Sequence, residues 1–288
     1  MLFGKKLLNR FLIGSSNSLY SISIFCDILS KLELIIFTLG GNMFRFDKNN
    51  LMILLVIVAV FMLFRGGFDL LGTLMMLPGL ILALTFHEYA HAKMADKLGD
   101  PTPESQGRLT LNPIAHMDPM GTLCLLFAGF GWGKPVQINP SYFRNPTKDN
   151  MKVALAGPVM NFILAFVLFV VLAIIALFTP AIQTVVTASA SAKTWLIIYE
   201  IVFYAAMLNV SLGVFNLLPV PPLDGSKIFA YFLKGKAREF LYTLESYSWI
   251  IIMILFITEI PSYIVTPIVG WISQGMLMLI SWIFELFM

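Results

Sequence analysis

The chain has 288 residues, of which 58% are hydrophobic and only 12% charged, and its mean hydropathy is +0.85. Soluble domains run at about 25% charged, so the composition excludes a soluble globular protein and points to an all-α polytopic membrane protein with no room for a sizeable soluble domain. The net charge of +3 is small and informs only through where the charges fall; a lipid bilayer is the expected environment and nucleic acid is not an expected partner.

In chain order, three segments are expected: an N-terminal extension (residues 1–50), a membrane core (51–240) and C-terminal transmembrane helices (241–288). Residues 1–42 carry Lys5, Lys6 and Arg10 ahead of a serine-interrupted apolar run. That run is too broken for a secretory signal and has no clean small-residue cleavage site after it. The segment reads either as a surface amphipathic stretch or as sequence upstream of a start at Met43. Residues 51–64 are apolar and end at Arg65-Gly66-Gly67, long enough with their flanks for a first crossing. A second helix is expected over 69–97, followed by a polar, proline-punctuated loop. Residues 123–132 are apolar but too short to cross, which predicts a re-entrant or interfacial segment. Residues 134–140 alternate between bounding prolines and read as a short extended edge where a substrate strand can pair.

A third helix is expected from near Lys152 to Phe178 and a fourth over 194–217. The fourth runs into Pro219-Val220-Pro221-Pro222-Leu223-Asp224-Gly225, and three prolines in four residues cannot remain regular helix. Broken backbone at membrane depth is tolerated where it lines a cavity or is buried in protein, so this stretch reads as a pocket wall. Helices over 247–259 and 264–287 close the chain, about six crossings in all. Cys26 and Cys124 lie far apart with no metal-type spacing and read as inert apolar fillers.

Charge placement orients this layout. Residues 93–152 hold seven Lys/Arg and 226–238 hold four, while 180–193 hold only Lys193 and 260–270 hold none. The positive-inside rule puts the loops after His91 and after Asp224 on the cytoplasmic side, and both termini with them. The expected location is the cytoplasmic membrane.

The chemistry lies in His87-Glu88-Tyr89-Ala90-His91. Residues four apart on a helix stack on one face, so His87 and His91 can present two neutral nitrogens to one zinc ion. Glu88 sits where a carboxylate takes a proton from metal-bound water. An H-x-x-x-H pair often arises by chance, but this chain has only three histidines and two of them are here. Asp224, on the proline-rich wall, is the third ligand. Two histidines and one aspartate leave a fourth position open. A peptide bond inside a helix must be unwound before hydrolysis, and Asn161 and Asn216 are candidates to hold the freed backbone. Asn112, His116 and Asp118 belong to a loop suited to admit water. His116 reads as a loop fastener, with an alternate-ligand or proton-relay role as the sharper possibility; Arg108 reads as a loop anchor or headgroup contact.

H-E-x-x-H in an apolar helix, A-G-P-x-x-N at Ala156–Asn161 and N-x-x-P-x-P-x-x-D-G at Asn216–Gly225 together resemble the site-2 protease family of intramembrane zinc metalloproteases. The loop over 107–118 and Gly131-Trp132-Gly133-Lys134-Pro135-Val136 resemble its compact prokaryotic branch without PDZ or CBS modules. The resemblance covers about residues 51–236. It implies one zinc per chain on His87, His91 and Asp224, Glu88 as catalytic base, and a substrate-backbone role for Asn216.

The expected function is an intramembrane zinc endopeptidase that cuts a transmembrane segment of a membrane-protein substrate. A non-catalytic membrane scaffold or chaperone is the alternative, and the intact motif set argues against it. A metal transporter calls for more ligands spread over several helices. Oligomeric state is left open.

Overall fold

The computed structural model describes residues 70–119, 133–178, 190–248 and 260–287, together with Thr122 and Ile251. The expected extension, the first crossing over 51–64, the re-entrant segment over 123–132 and most of the helix over 247–259 lie outside the described residues. What is described is helical: no strand occurs among these residues, only an isolated antiparallel bridge between Met117 and Gly133. Four helices are long and apolar enough to cross a membrane.

The first is α1 (Leu70–Lys97). Two single-turn helices follow, α2 (Thr102–Ser105) and α3 (Pro113–His116). Gly99 ends the turn after α1 at φ 101°, a left-handed conformation that strains any side chain. Beside it the fully buried Asp100 carboxylate accepts from the backbone N–H of Thr102 (3.0 Å) and Asn139 (2.7 Å), tying the α1 exit to the distant extended segment.

The second long helix, α4, spans Pro146–Phe178 and begins six residues before the expected Lys152. The reason is a reciprocal cap. The Asn145 side chain accepts from Lys148 N–H at 3.2 Å, and Asp149 accepts from Asn145 N–H at 3.0 Å. This satisfies N–H groups a helix start otherwise leaves open, and Pro146, which has none to lose, takes the first position. The apolar run alone marks only where the helix becomes greasy.

Helix α5 (Ala190–Asn216) stops where the prolines begin. The chain then doubles back so tightly that a Cβ on Gly225 would sit 2.2 Å from Leu218 O. That fold-back opens α6 (Asp224–Phe232), which is followed by α7 (Lys236–Glu245) and the last span, α8 (Ile260–Phe287). Helix α7 was not expected; its mixture of charged and aromatic residues gives no long apolar run to announce it.

Helices α1, α4 and α5 pack on one another, α6 leans on α4, and α8 lies against α5 and α4. The main core joins Phe169 and Leu172 of α4, Val210 and Phe215 of α5, and Val269 and Ile280 of α8. Helices α1 and α5 meet at nearly bare backbone, where a Cβ on Gly79 would lie 2.5 Å from Ala205 Cα. Small residues at such crossings allow the close van der Waals packing on which helix association in lipid depends.

Candidate active site

His87 and His91 lie one turn apart on α1, both buried, with ring centroids 4.5 Å apart. Their Nε2 atoms are 2.9 Å apart, and each is 3.1 Å from Asp224 Oδ2 at the first position of α6. Bond partners on the far side of each ring assign the tautomers. His91 Nδ1 lies 2.8 Å from Val153 O, which can only accept, so that nitrogen carries the proton. His87 Nδ1 lies 2.6 Å from Asn161 Oδ1. The Asn161 amide nitrogen is turned away to Ala83 O and Asn209 Oδ1, so the oxygen faces His87 and Nδ1 of His87 donates.

Both Nε2 atoms therefore present lone pairs, and they converge on a carboxylate oxygen. Asp224 Oδ2 is buried and has no hydrogen-bond partner. Three acceptors facing one another with no proton between them repel; a divalent cation satisfies all three. Two imidazole nitrogens and one carboxylate, each imidazole fixed through its other nitrogen, form a donor set suited to zinc with one position left open. Among the described residues these three are the one His/Cys/Asp/Glu group whose ligand atoms converge within 4.8 Å. Helix α4 passes close against the pair: a Cβ on Gly157 would lie 2.5 Å from His91 Nε2.

Glu88 follows His87 and is half-buried, and its Oε2 accepts from Val136 N–H at 2.9 Å. Val136 lies in the stretch over 134–140 expected as an extended edge; residues 134–139 form no regular secondary structure, with only the isolated bridge at Gly133 beside them. That segment is held by Arg108, whose buried guanidinium donates to Ala115 O, to Lys134 O (2.8 Å) and to Pro135 O (3.0 Å). Burial pulls the Arg108 guanidinium below its usual range, and the nearby Glu88 charge opposes the shift. Of its two expected roles Arg108 takes the loop anchor.

The remaining candidates fall differently. Asn161 is fully buried and its amide is spent on His87, Ala83 and Asn209, leaving no donor for a substrate. Asn216 ends α5 half-buried, with no side-chain hydrogen bond among the described residues. His116 stands outside the converging group; its Nε2 meets Thr110 O at 2.8 Å and fastens the loop. Ser226 Oγ donates to Leu223 O at 2.7 Å, inside the first turn of α6. Sequence reading missed the Val153 carbonyl and the Val136 amide, because backbone groups leave no signature in residue identity. It also missed Asn209, which had a visible signal: an amide within an apolar helix.

Apolar helices long enough to span a membrane around a largely buried His-His-Asp group make a candidate membrane metalloprotein. The model of peptidase family M50 matches residues 75–258. Putative zinc metalloprotease YwhC of Bacillus subtilis is 39% identical over 206 residues, covering 72% of this chain and 90% of the relative. Putative zinc metalloprotease Rip2 of Mycolicibacterium smegmatis is 28% identical over 191 residues, 64% of this chain and 67% of the relative. A Methanocaldococcus jannaschii protein with the same description, MJ0611, is 27% identical over 66% of this chain and 88% of its own. No solved structure matches. The chain belongs to peptidase family M50, the site-2 protease family that its motifs resemble, and is a zinc metalloprotease of membranes.

Proposed function

We propose that the protein is an intramembrane endopeptidase of the cytoplasmic membrane that hydrolyses peptide bonds in or near a transmembrane segment of another membrane protein. The observation that carries this reading is the convergence of His87 Nε2, His91 Nε2 and Asp224 Oδ2, with Glu88 on the same turn of a spanning helix. Leu70 and His87 are 17 positions apart on α1, about 26 Å of helix, against a hydrocarbon core about 30 Å thick. That length supports a site at membrane depth. The Lys/Arg-rich loops after His91 and Asp224 support the cytoplasmic face, with both termini on the same side.

His87, His91 and Asp224 would hold one zinc per chain, which would supply an acidified water and a Lewis acid for a peptide carbonyl. Glu88 would accept a proton from the attacking water at its carboxylate and return it to the leaving amine nitrogen. Its bond to Val136 N–H occupies one carboxylate oxygen and leaves the other for the proton. Asn216, whose amide has no side-chain hydrogen bond among the described residues, binds the unwound substrate backbone. The backbone groups of 134–136 are bonded to His116, Arg108 and Glu88, so this stretch positions Glu88 rather than pairing with a substrate strand. The catalytic unit is residues 51–240, with 241–288 as flanking helices.

Glu88→Gln tests this mechanism. The variant is expected to keep one zinc per chain, measured by metal analysis of detergent-purified protein, and to lose cleavage of a membrane-protein substrate by at least about a hundredfold. Undiminished cleavage by Glu88→Gln would sink the mechanism. Asp224→Ala is expected to lose the zinc itself; full retention there moves the third ligand elsewhere.

A further inference from the structure

One buried polar group in the spanning helices has no part in the chemistry above. Asn209 lies in the C-terminal half of the apolar helix α5, fully buried, where an amide is costly unless it is used. Both ends of it are engaged. Its Nδ2 donates to Ala205 O of its own helix at 2.8 Å, and its Oδ1 accepts from Asn161 Nδ2 at 3.0 Å. The first bond fixes which way the Asn209 amide is turned. The second fixes Asn161, because an amide whose nitrogen is held by two acceptors, Asn209 Oδ1 and Ala83 O, must present its oxygen on the other side. On that side is His87 Nδ1, at 2.6 Å. Without Asn209, one of the two acceptors that orient Asn161 is gone, and a flipped amide would offer N–H to His87 Nδ1. That offer favours the wrong tautomer, the one with the proton on Nε2.

We propose that Asn209 is a positioning residue for the metal centre: acting through Asn161, it holds His87 in the tautomer that presents Nε2 to zinc. The inference rests on the reading of His87 as a zinc ligand. It assigns α5 a function beyond carrying the chain to Asp224. Three helices meet at one amide, with Ala83 O from α1, Asn161 from α4 and Asn209 from α5, and their packing thereby sets the ligating state of a histidine. Groups that orient ligating histidines typically contribute about 10–100-fold to metal affinity.

The test is a double-mutant cycle on zinc affinity, measured by chelator competition on the detergent-solubilised full chain, with Asn209→Leu, Asn161→Leu and the pair. Asn161→Leu is expected to weaken zinc by about 10–100-fold. Asn209→Leu is expected to weaken it by roughly tenfold, and the double variant no more than Asn161→Leu alone. The visible spectrum of the cobalt(II)-loaded protein, which reads the ligand field rather than fold stability, is expected to change in the same way in all three. Asn209→Ser, too short to reach Asn161, gives the same comparison if the leucine does not fold. Unchanged zinc affinity in a folded Asn209 variant overturns the proposal, as does a double variant whose loss is the product of the two single losses. His87→Ala with wild-type zinc affinity overturns the zinc-ligand reading itself and the relay with it. Zinc lost in His87→Ala but kept in the Asn209 variants removes the relay alone.

Discussion

Gly157 shows how tightly the site is specified by single residues. In a helix an alanine is ordinarily better than a glycine by about 1 kcal/mol, so propensity favours Gly157→Ala. The added methyl, however, would sit 2.5 Å from His91 Nε2 and 2.6 Å from His87 Cε1. Those rings are pinned behind by Val153 O and Asn161 and have no slack to yield. Gly157→Ala is therefore expected to weaken zinc by at least about tenfold, equivalent to roughly 1.4 kcal/mol, in a chelator titration. Unchanged affinity would mean that α4 can move away from the pair. Arg108 acts at the same scale through the backbone. Its loss leaves three carbonyls without their charged donor and frees the segment that presents Val136 N–H to Glu88. At about 1–3 kcal/mol for such a loss, Arg108→Ala is expected to cut the cleavage rate by roughly tenfold or more with zinc content unchanged. Protease nicking near residue 134 would report the loosened segment.

Among the elements, α4 separates what burial does from what composition says. Asn161, Ala165, Phe169 and Leu172 are almost fully buried, whereas Ile163, Val167, Val171 and Ile174 are 37–54% exposed. Each set recurs with the helical period, so one face packs on α5 and α8 and the other is left uncovered by the described residues. Both faces are apolar. Phe169→Ala is expected to cost about 3–5 kcal/mol by opening a cavity, and Ile163→Ala about 0.5 kcal/mol or less. Thermal unfolding in detergent would distinguish them, and equal effects would contradict the facing assigned to this helix. Helix ends follow local chemistry instead: Asn145 and Asp149 start α4, and Pro219, Pro221 and Pro222 end α5.

For the molecule as a whole, the zinc site joins parts that lie far apart in the chain. His87 and Asp224 are separated by the whole of α4 and α5, so bound metal adds a link between α1 and α6. Binding the folded state alone stabilises it by about 2.7 kcal/mol at a hundredfold excess over Kd. Chelation is accordingly expected to lower the thermal midpoint and abolish cleavage, with both restored by zinc. A midpoint indifferent to chelator would deny the metal any part in holding α6 to α1. Topology is testable at this scale too. Reporter fusions in the loop after α1 and in that after α6 are expected to report cytoplasmic placement together; a split result would remove the shared-face arrangement.

Residue identity and spacing determined a good deal on their own. The membrane class follows from composition, the approximate spans from run length, and the His87-Glu88-His91 group from a helical spacing that local geometry alone enforces. Even Asp224 was legible, because prolines forbid the helix to continue and a carboxylate in the resulting break requires a partner. Only the tertiary structure decided that Asn161 bonds His87, Ala83 and Asn209, that Arg108 and Val136 bear on Glu88, and which face of α4 packs on its neighbours. In an apolar sequence, hydropathy cannot tell a neighbouring helix from a lipid tail. Amide orientation and backbone donors, in turn, acquire meaning only from what packing places opposite them.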